Sequence, residues 1–318
     1  MKKVFITGGS GTVGSSFIEK YYGKYKFYSF NRNEKMQVAL KRSFPEVEII
    51  LGAIEDKFAI MNTIFKCKPD IVIHAAAMKH VDSAEKSPIG AVKSNIVGSL
   101  NLIEACIEAR VPNNLAISTD KACVPDSIYG QTKYLMEQMF LEAHSDKCKF
   151  NVARFGNVAY SNGSVIPFWL ALKKENKMLP LTDINMNRLI ITKNQASELV
   201  KEALDRAEKD NDPFILTKFM KTVNMSRLAK FISNKIEIVG LREGEKLNET
   251  LVSNNELDRT FVEDNYILIR KFKNRGSNRL NKIISSEHAL AMSDEEIVNL
   301  ISVTTEDMQK NALDTKNY

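Results

Sequence analysis

Three glycines at positions 8, 11 and 14, set between an apolar run and a helical one, constrain this chain more than any other feature. Lys2-Lys3-Val4-Phe5-Ile6-Thr7 reads as a short buried strand, and Ser15-Ser16-Phe17-Ile18-Glu19-Lys20 as the first turns of a helix. The loop between them, Gly8-Gly9-Ser10-Gly11-Thr12-Val13-Gly14, can turn sharply and admit a diphosphate to backbone N–H groups at the helix N-terminus. There the helix dipole favours negative charge. Glycine spacing alone would describe an ordinary turn; its place between strand and helix makes Gly8, Ser10, Gly11, Thr12 and Val13 candidates for holding a dinucleotide.

The same alternation continues to about residue 158. Apolar runs at 4–6, 26–30, 48–51, 71–74, 114–118 and 151–155 are mostly separated by stretches long enough for crossover helices. The fold class expected is α/β, a doubly wound parallel sheet of Rossmann type with a smaller C-terminal substrate-binding region. A long helix is predicted over 94–109, and a second from about Tyr129 to Ala143. The boundaries read from the pattern are 1–158 for the dinucleotide domain and 159–318 for a mainly substrate-binding region. A strand near 214–220 is expected to return to the first domain. Near the end, only an amphipathic helix around 294–303 is legible.

A reaction centre is outlined by Ser118-Thr119-Asp120-Lys121 and, close behind, Tyr129-Gly130-Gln131-Thr132-Lys133. If Tyr129 begins a helix, Lys133 lies one turn on and on the same face, where its ammonium favours the phenolate. A free tyrosine, with a pKa of about 10, needs such help to act as a base at neutral pH. Tyr-x-x-x-Lys is a weak motif alone, and Asp120-Lys121 alone reads as a surface ion pair. Following a buried strand and preceding Tyr129, they read as acid–base chemistry.

Together these motifs resemble the extended short-chain dehydrogenase/reductase family, and within it the UDP-N-acetylglucosamine 4,6-dehydratases of polysaccharide biosynthesis, of the soluble inverting type. The resemblance runs from about residue 2 to 260. It is carried further by His74-Ala75-Ala76-Ala77-Met78-Lys79-His80-Val81, Arg154-Phe155-Gly156-Asn157-Val158, Met186-Asn187-Arg188-Leu189-Ile190-Ile191-Thr192 and Leu241-Arg242-Glu243-Gly244-Glu245-Lys246-Leu247. Thr119-Asp120-Lys121 is the most specific part, since dTDP-glucose dehydratases carry Thr-Asp-Glu there.

The resemblance implies that Tyr129 takes the proton of the sugar C4 hydroxyl while Thr119 bonds the developing carbonyl. Lys121 then takes the C5 proton and Asp120 protonates the departing C6 hydroxyl. Those roles require an uncharged Lys121 and a protonated Asp120, both of which burial would favour. It also implies cofactor contacts from Ala75, Ala76, Ala77, Lys79, Asn95, Tyr129 and Lys133, and substrate contacts from Lys79, His80, Asn157, Arg188, Arg242 and Glu245; the adenine contact is expected from the Ala53–Ile54 backbone instead of the group's usual residues. His74 reads as structural. Three positions depart from the group: Gly52-Ala53 where Gly-Asp is usual, with Asp56 a substitute if the loop shifts, Glu243 where proline is common, and Asn248 where histidine is common.

At the end of the second strand stand Asn31 and Arg32 with no acidic residue, which favours NADP, with NAD possible. The net charge of +6 is spread along the chain rather than clustered, so a UDP-sugar partner is expected and nucleic acid is not. Cys67, Cys106, Cys123 and Cys148 lack Cys-x-x-Cys spacing, which argues against a metal site and for reduced thiols in the cytoplasm. No apolar run approaches the ~20 residues of a membrane span, and the chain enters its first strand too soon for a signal peptide. A homo-oligomer, dimer or higher, is implied by the resemblance through the two long helices. A sugar 4-epimerase, a C5-retaining dehydratase and a non-catalytic dinucleotide sensor are the alternatives; the epimerase has no need of the Asp120-Lys121 pair.

Overall fold

The computed structural model describes residues 1–272 and 278–302. Its first part alternates β1 (Lys3–Thr7), α1 (Thr12–Lys20), β2 (Lys26–Asn31), α2 (Glu34–Ser43), β3 (Glu48–Leu51), α3 (Lys57–Cys67) and β4 (Ile71–His74). Short helices α4 (Val81–Lys86) and α5 (Pro88–Val92) lead through a π-helical turn, Lys93–Val97, into α6 (Gly98–Glu108). Then come β5 (Asn113–Thr119), a 3-10 turn at Asp120–Ala122, α7 (Ile128–Ala143) and β6 (Lys149–Phe155). The second part holds β7 (Asn157–Val158), α8 (Val165–Lys174), β8 (Leu179–Leu181), β9 (Asn187–Ile191), α9 (Lys193–Lys209), β10 (Phe214–Lys218), β11 (Lys221–Asn224) and α10 (Met225–Ile232). It continues with β12 (Ile236–Ile238), β13 (Thr250–Val252), β14 (Thr260–Glu263), β15 (Tyr266–Arg270) and β16 (Ile284–Ser285).

The main sheet runs β3-β2-β1-β4-β5-β6-β10-β15-β14. Its strands from β3 to β10 are parallel, and β15 and β14 turn back antiparallel. Successive strands are added toward β3 on one side of β1 and toward β6 on the other, and this switch in strand order between β1 and β4 opens a crevice at the carboxyl ends of those strands. Every residue of β4 is buried, as expected for a strand covered by helices on both faces.

The strand near 214 returns as expected, with Ile215 opposite Val152 and Leu216 opposite Ala153. The boundary at 158 needs correction. Helix α9 is apolar at Ala196, Leu199, Val200, Ala203, Leu204 and Ala207, and it packs that stripe into the core of the main sheet, joined by Leu251 and Ile267–Ile269. Such a stripe on an otherwise charged helix has to find an apolar surface. A second, smaller core gathers Ile166, Trp169, Leu179, Leu181, Ile190, Leu228 and Ile232. The substrate-side region is thus only part of 159–318.

The long helix predicted from 94 begins instead as a π turn. The amphipathic helix near the end is helical over 294–302; residue 303 lies outside the described residues. Among the described residues no helix is long and apolar enough to cross a membrane.

Candidate active site

A cleft of about 1040 Å³ runs from the glycine loop across the carboxyl ends of β1, β4 and β5 to β9 and the segment before β13. At its cofactor end Gly8 takes φ +68°, and a Cβ there would stand 2.8 Å from the Ala76 nitrogen, so only glycine lets the loop touch the end of β4. Gly11 caps α1 without a side-chain acceptor, leaving the first-turn N–H groups to an anionic guest. Gly8, Gly11, Thr12, Val13, Asn31, Arg32, Ile54 and Ala75, Ala76 and Ala77 line the cleft. This cradle fits a dinucleotide.

Several expected contacts sit elsewhere. Ser10 is buried and accepts from Asn31 Nδ2 at 2.7 Å, so this pair braces the loop. Ala53 and Asp56 do not line the cleft, and Asp56 caps α3 by accepting from the Ala59 nitrogen. Ile54 reaches the cleft because Gly98 leaves room beside it. Asn95, in the π turn, is also withdrawn: it bonds both the nitrogen and carbonyl of Met78 and donates to Thr132 Oγ1, tying the β4 loop to α7. Arg32 stands 69% exposed at the cleft edge, 3.6 Å from Glu55. The sequence reading missed Glu55.

At the centre, Ser127 caps α7 by accepting from Gly130 N at 3.0 Å. A Cβ on Gly130 would lie 2.5 Å from the Lys121 carbonyl, so that glycine presses the Asp120-Lys121 turn against the start of α7. Tyr129, 9% exposed, and Lys133 both line the cleft. Burial pushes the Tyr129 phenol up to about 12, although the Lys121 charge and a hydrogen bond with Thr119 pull the other way. Lys133 is drawn down to about 8 by burial and donates to the Ile117 carbonyl at 2.6 Å. The cation that favours the phenolate here is therefore Lys121; the ammonium of Lys133, expected in that role, is held by a backbone carbonyl.

Lys121 Nζ lies 3.3 Å from Asp120 Oδ1 and 3.1 Å from Glu249 Oε1. Burial would lower its pKa, but the two carboxylates outweigh that and raise it, contrary to the uncharged lysine expected. Asp120 is 1% exposed and does not line the cleft; Oδ1 accepts from Thr119 Oγ1 at 3.0 Å, and Oδ2 has no partner among the described residues. Glu249 does line the cleft, and the sequence reading missed it too. Its one signal was a carboxylate directly before the apolar run Thr250-Leu251-Val252.

On the substrate side, Lys79, His80, Asn157, Arg188, Arg242 and Glu245 all line the cleft. Lys79 donates to the Asn162 carbonyl, and burial lowers its pKa. Burial and Lys79 likewise lower His80, against Asp82. Arg188 spends its fork on the carbonyls of Asn187, Lys246 and Leu247, whereas Arg242 reaches Asp82 at 3.2 Å and its nitrogen donates to Glu245. Asn248 accepts from Asn187 and Ser286, a brace below the cleft. His74 is structural: its ring bonds Thr7 and Ser99 and stacks on Phe140.

The family described as "Polysaccharide biosynthesis protein" matches residues 4–271. An enzyme of Campylobacter jejuni called UDP-N-acetylglucosamine 4,6-dehydratase (inverting) is 35% identical over 280 residues, covering 84% of this chain and 82% of that one. A UDP-glucose 4-epimerase of Rickettsia bellii is 30% identical, covering 92% and 90%. The X-ray structure of Pen from Bacillus thuringiensis superposes with a TM-score of 0.87 at 32% identity, covering 96% of this chain and 98% of that one.

Proposed function

The chain belongs to the polysaccharide biosynthesis protein family, and we propose that it is a nucleotide-sugar 4,6-dehydratase acting on UDP-N-acetylglucosamine with inversion at C5. The observation that carries this is the Thr119-Asp120-Lys121 turn pressed by Gly130 against the Tyr129 helix inside one cleft. A 4-epimerase, the name borne by the Rickettsia relative, would need Tyr129 and Lys133 but no acid–base pair for eliminating water.

When bound, the oxidised nicotinamide supplies a positive charge and a hydride acceptor that later gives the hydride back. Tyr129 takes the C4 hydroxyl proton, and Thr119, which bonds the Tyr129 phenol, would turn its hydroxyl from Asp120 Oδ1 to the developing carbonyl oxygen. The ketone at C4 acidifies the C5 hydrogen, which goes to Lys121. Asp120, whose Oδ2 has no partner among the described residues, would turn toward the cleft to give the departing C6 hydroxyl its proton. Lys133 orients the cofactor end, and Arg242 with Glu245 meets the nucleotide. Incubation with UDP-N-acetylglucosamine in heavy water should give a product lighter by one water apart from its label, with deuterium at C5 in inverted configuration by NMR. Deuterium at C5 with the original configuration would remove inversion.

NADP is the preferred dinucleotide in this reading. Arg32 offers a 2′-phosphate a charge-assisted pair, and it stands 3.6 Å from the Glu55 carboxylate, whose charge it offsets. In Arg32→Ala, NADP affinity should fall roughly tenfold to a hundredfold while NAD binding changes little. Equal wild-type affinities by calorimetry would sink the preference. The four free cysteines suit a reducing, cytoplasmic setting. A second copy would cover the exposed Val97, Leu100 and Ile107 beside Tyr134 and Leu135 of α7, which sedimentation can check.

A further inference from the structure

The two carboxylates beside Lys121 are not equivalent. Asp120 does not line the cleft, and its Oδ1 already accepts from Thr119. Glu249 lines the cleft, 3% exposed, and its backbone is fixed on both sides by Ser286, with Glu249 N donating to Ser286 Oγ at 2.9 Å and Ser286 N to the Glu249 carbonyl at 2.8 Å. Four elements converge on this pair: the turn after β5 brings Asp120 and Lys121, α7 brings Tyr129, β9 brings Arg188 and the segment before β13 brings Glu249. Arg188 contributes charge, but its Nη1 and Nη2 are engaged by backbone carbonyls.

A lysine flanked by two carboxylates is charged, and a charged lysine cannot accept a proton. We propose that Glu249 is a positioning residue for Lys121: it takes the ammonium proton, so that an uncharged amine faces the C5 hydrogen. This rests on the dehydratase reading of the site. One proton moves from Lys121 to Glu249, leaving an amine and a carboxylic acid. The amine then takes the C5 proton, and the electron pair of that C–H bond moves onto the C4 carbonyl oxygen. The site ends with one ammonium, one acid and one enolate, and charge is conserved at each stage. A sugar filling the cleft excludes water, and in such surroundings the uncharged amine–acid pair gains on the ion pair, whose desolvation is costly. Burial already raises the Glu249 carboxyl against the pull of Lys121.

The test is Glu249→Gln in the full chain, with UDP-N-acetylglucosamine and NADP. Turnover at neutral pH should fall by about 10²-fold, with KM little changed. Reduced cofactor should accumulate, because oxidation at C4 does not use Glu249. The deficit should shrink as pH rises, since bulk base strips the proton that Glu249 no longer takes, and Glu249→Asp should restore part of the rate. A deficit constant across pH, unchanged turnover, or loss of cofactor reduction together with a raised KM would each overturn the proposal. A readout independent of turnover is the NMR titration of Lys121 labelled at Cε, without substrate. In Glu249→Gln its midpoint should move to lower pH, and an unmoved midpoint overturns the coupling whatever the reaction. If the wild type gives no product lighter by water, the dehydratase reading falls and the titration still decides whether Glu249 sets the charge of Lys121.

Discussion

Tyr129→Phe should lower turnover by about 10²–10⁴-fold, the usual cost of a positioned acid–base group, while the affinity for the dinucleotide stays near that of the wild type. The ring is almost wholly buried, so phenylalanine fills the same space and only the hydroxyl is lost. That hydroxyl is an unready base in the free protein, because burial holds it up at about 12. Deprotonation depends on what surrounds it: Lys121 and Thr119 already pull it down, and the charge of the oxidised cofactor adds to them. Since the base must be deprotonated, the wild-type rate should climb with pH on the alkaline side, and that climb should vanish in the variant. Stopped-flow absorbance of the reduced cofactor separates the steps. C4 oxidation in Tyr129→Phe should slow by the same factor; near-normal oxidation would take Tyr129 out of the chemistry.

The features legible in the sequence were those set by local physics. The strand–glycine loop–helix and the later strands announce themselves through apolar runs and turn residues, and the sheet contains them all. The Tyr129-to-Lys133 spacing likewise placed both residues on one buried side of α7. Features that depend on distant partners were not legible. Nothing near Lys121 in sequence says that Glu249 will lie 3.1 Å away, and the lysine's charge state turns on that neighbour. Asn95 and Ser10 have types suited to a cofactor, yet each is consumed by an internal hydrogen bond that only the packed loops reveal. The stripe on α9, by contrast, was visible as a pattern; what the pattern could not say is which sheet it would cover.

Arg154 shows how such a distant partner governs stability. In the sequence it opens a stretch resembling a sugar-nucleotide contact, but the structure buries it behind α7, 1% exposed, bonded to Glu137 at 2.7 Å and Glu256 at 2.9 Å. The triad joins α7 to the segment after β13, and Leu251 adds a carbonyl acceptor. Arg154→Met should cost about 3–5 kcal/mol, because it takes the guanidinium from two buried carboxylates and leaves Glu256 only Arg259 at 3.9 Å. Against a total stability of about 5–15 kcal/mol, that is a severe loss. Burial alone would raise the Glu256 carboxyl, but Arg154 reverses this and holds it at about 2, below its ordinary 4.5. In the wild type that depression contributes stability above pH 4.5, lost as pH falls toward 2. Without Arg154 the sign inverts: a buried carboxyl with a raised pKa is relieved by protonation. Acidification from neutral pH toward 4.5 should therefore narrow the gap in melting temperature between wild type and variant. A gap that stays constant over that range, measured calorimetrically, would mean that the lost stability comes from packing of the side chain and not from its charge.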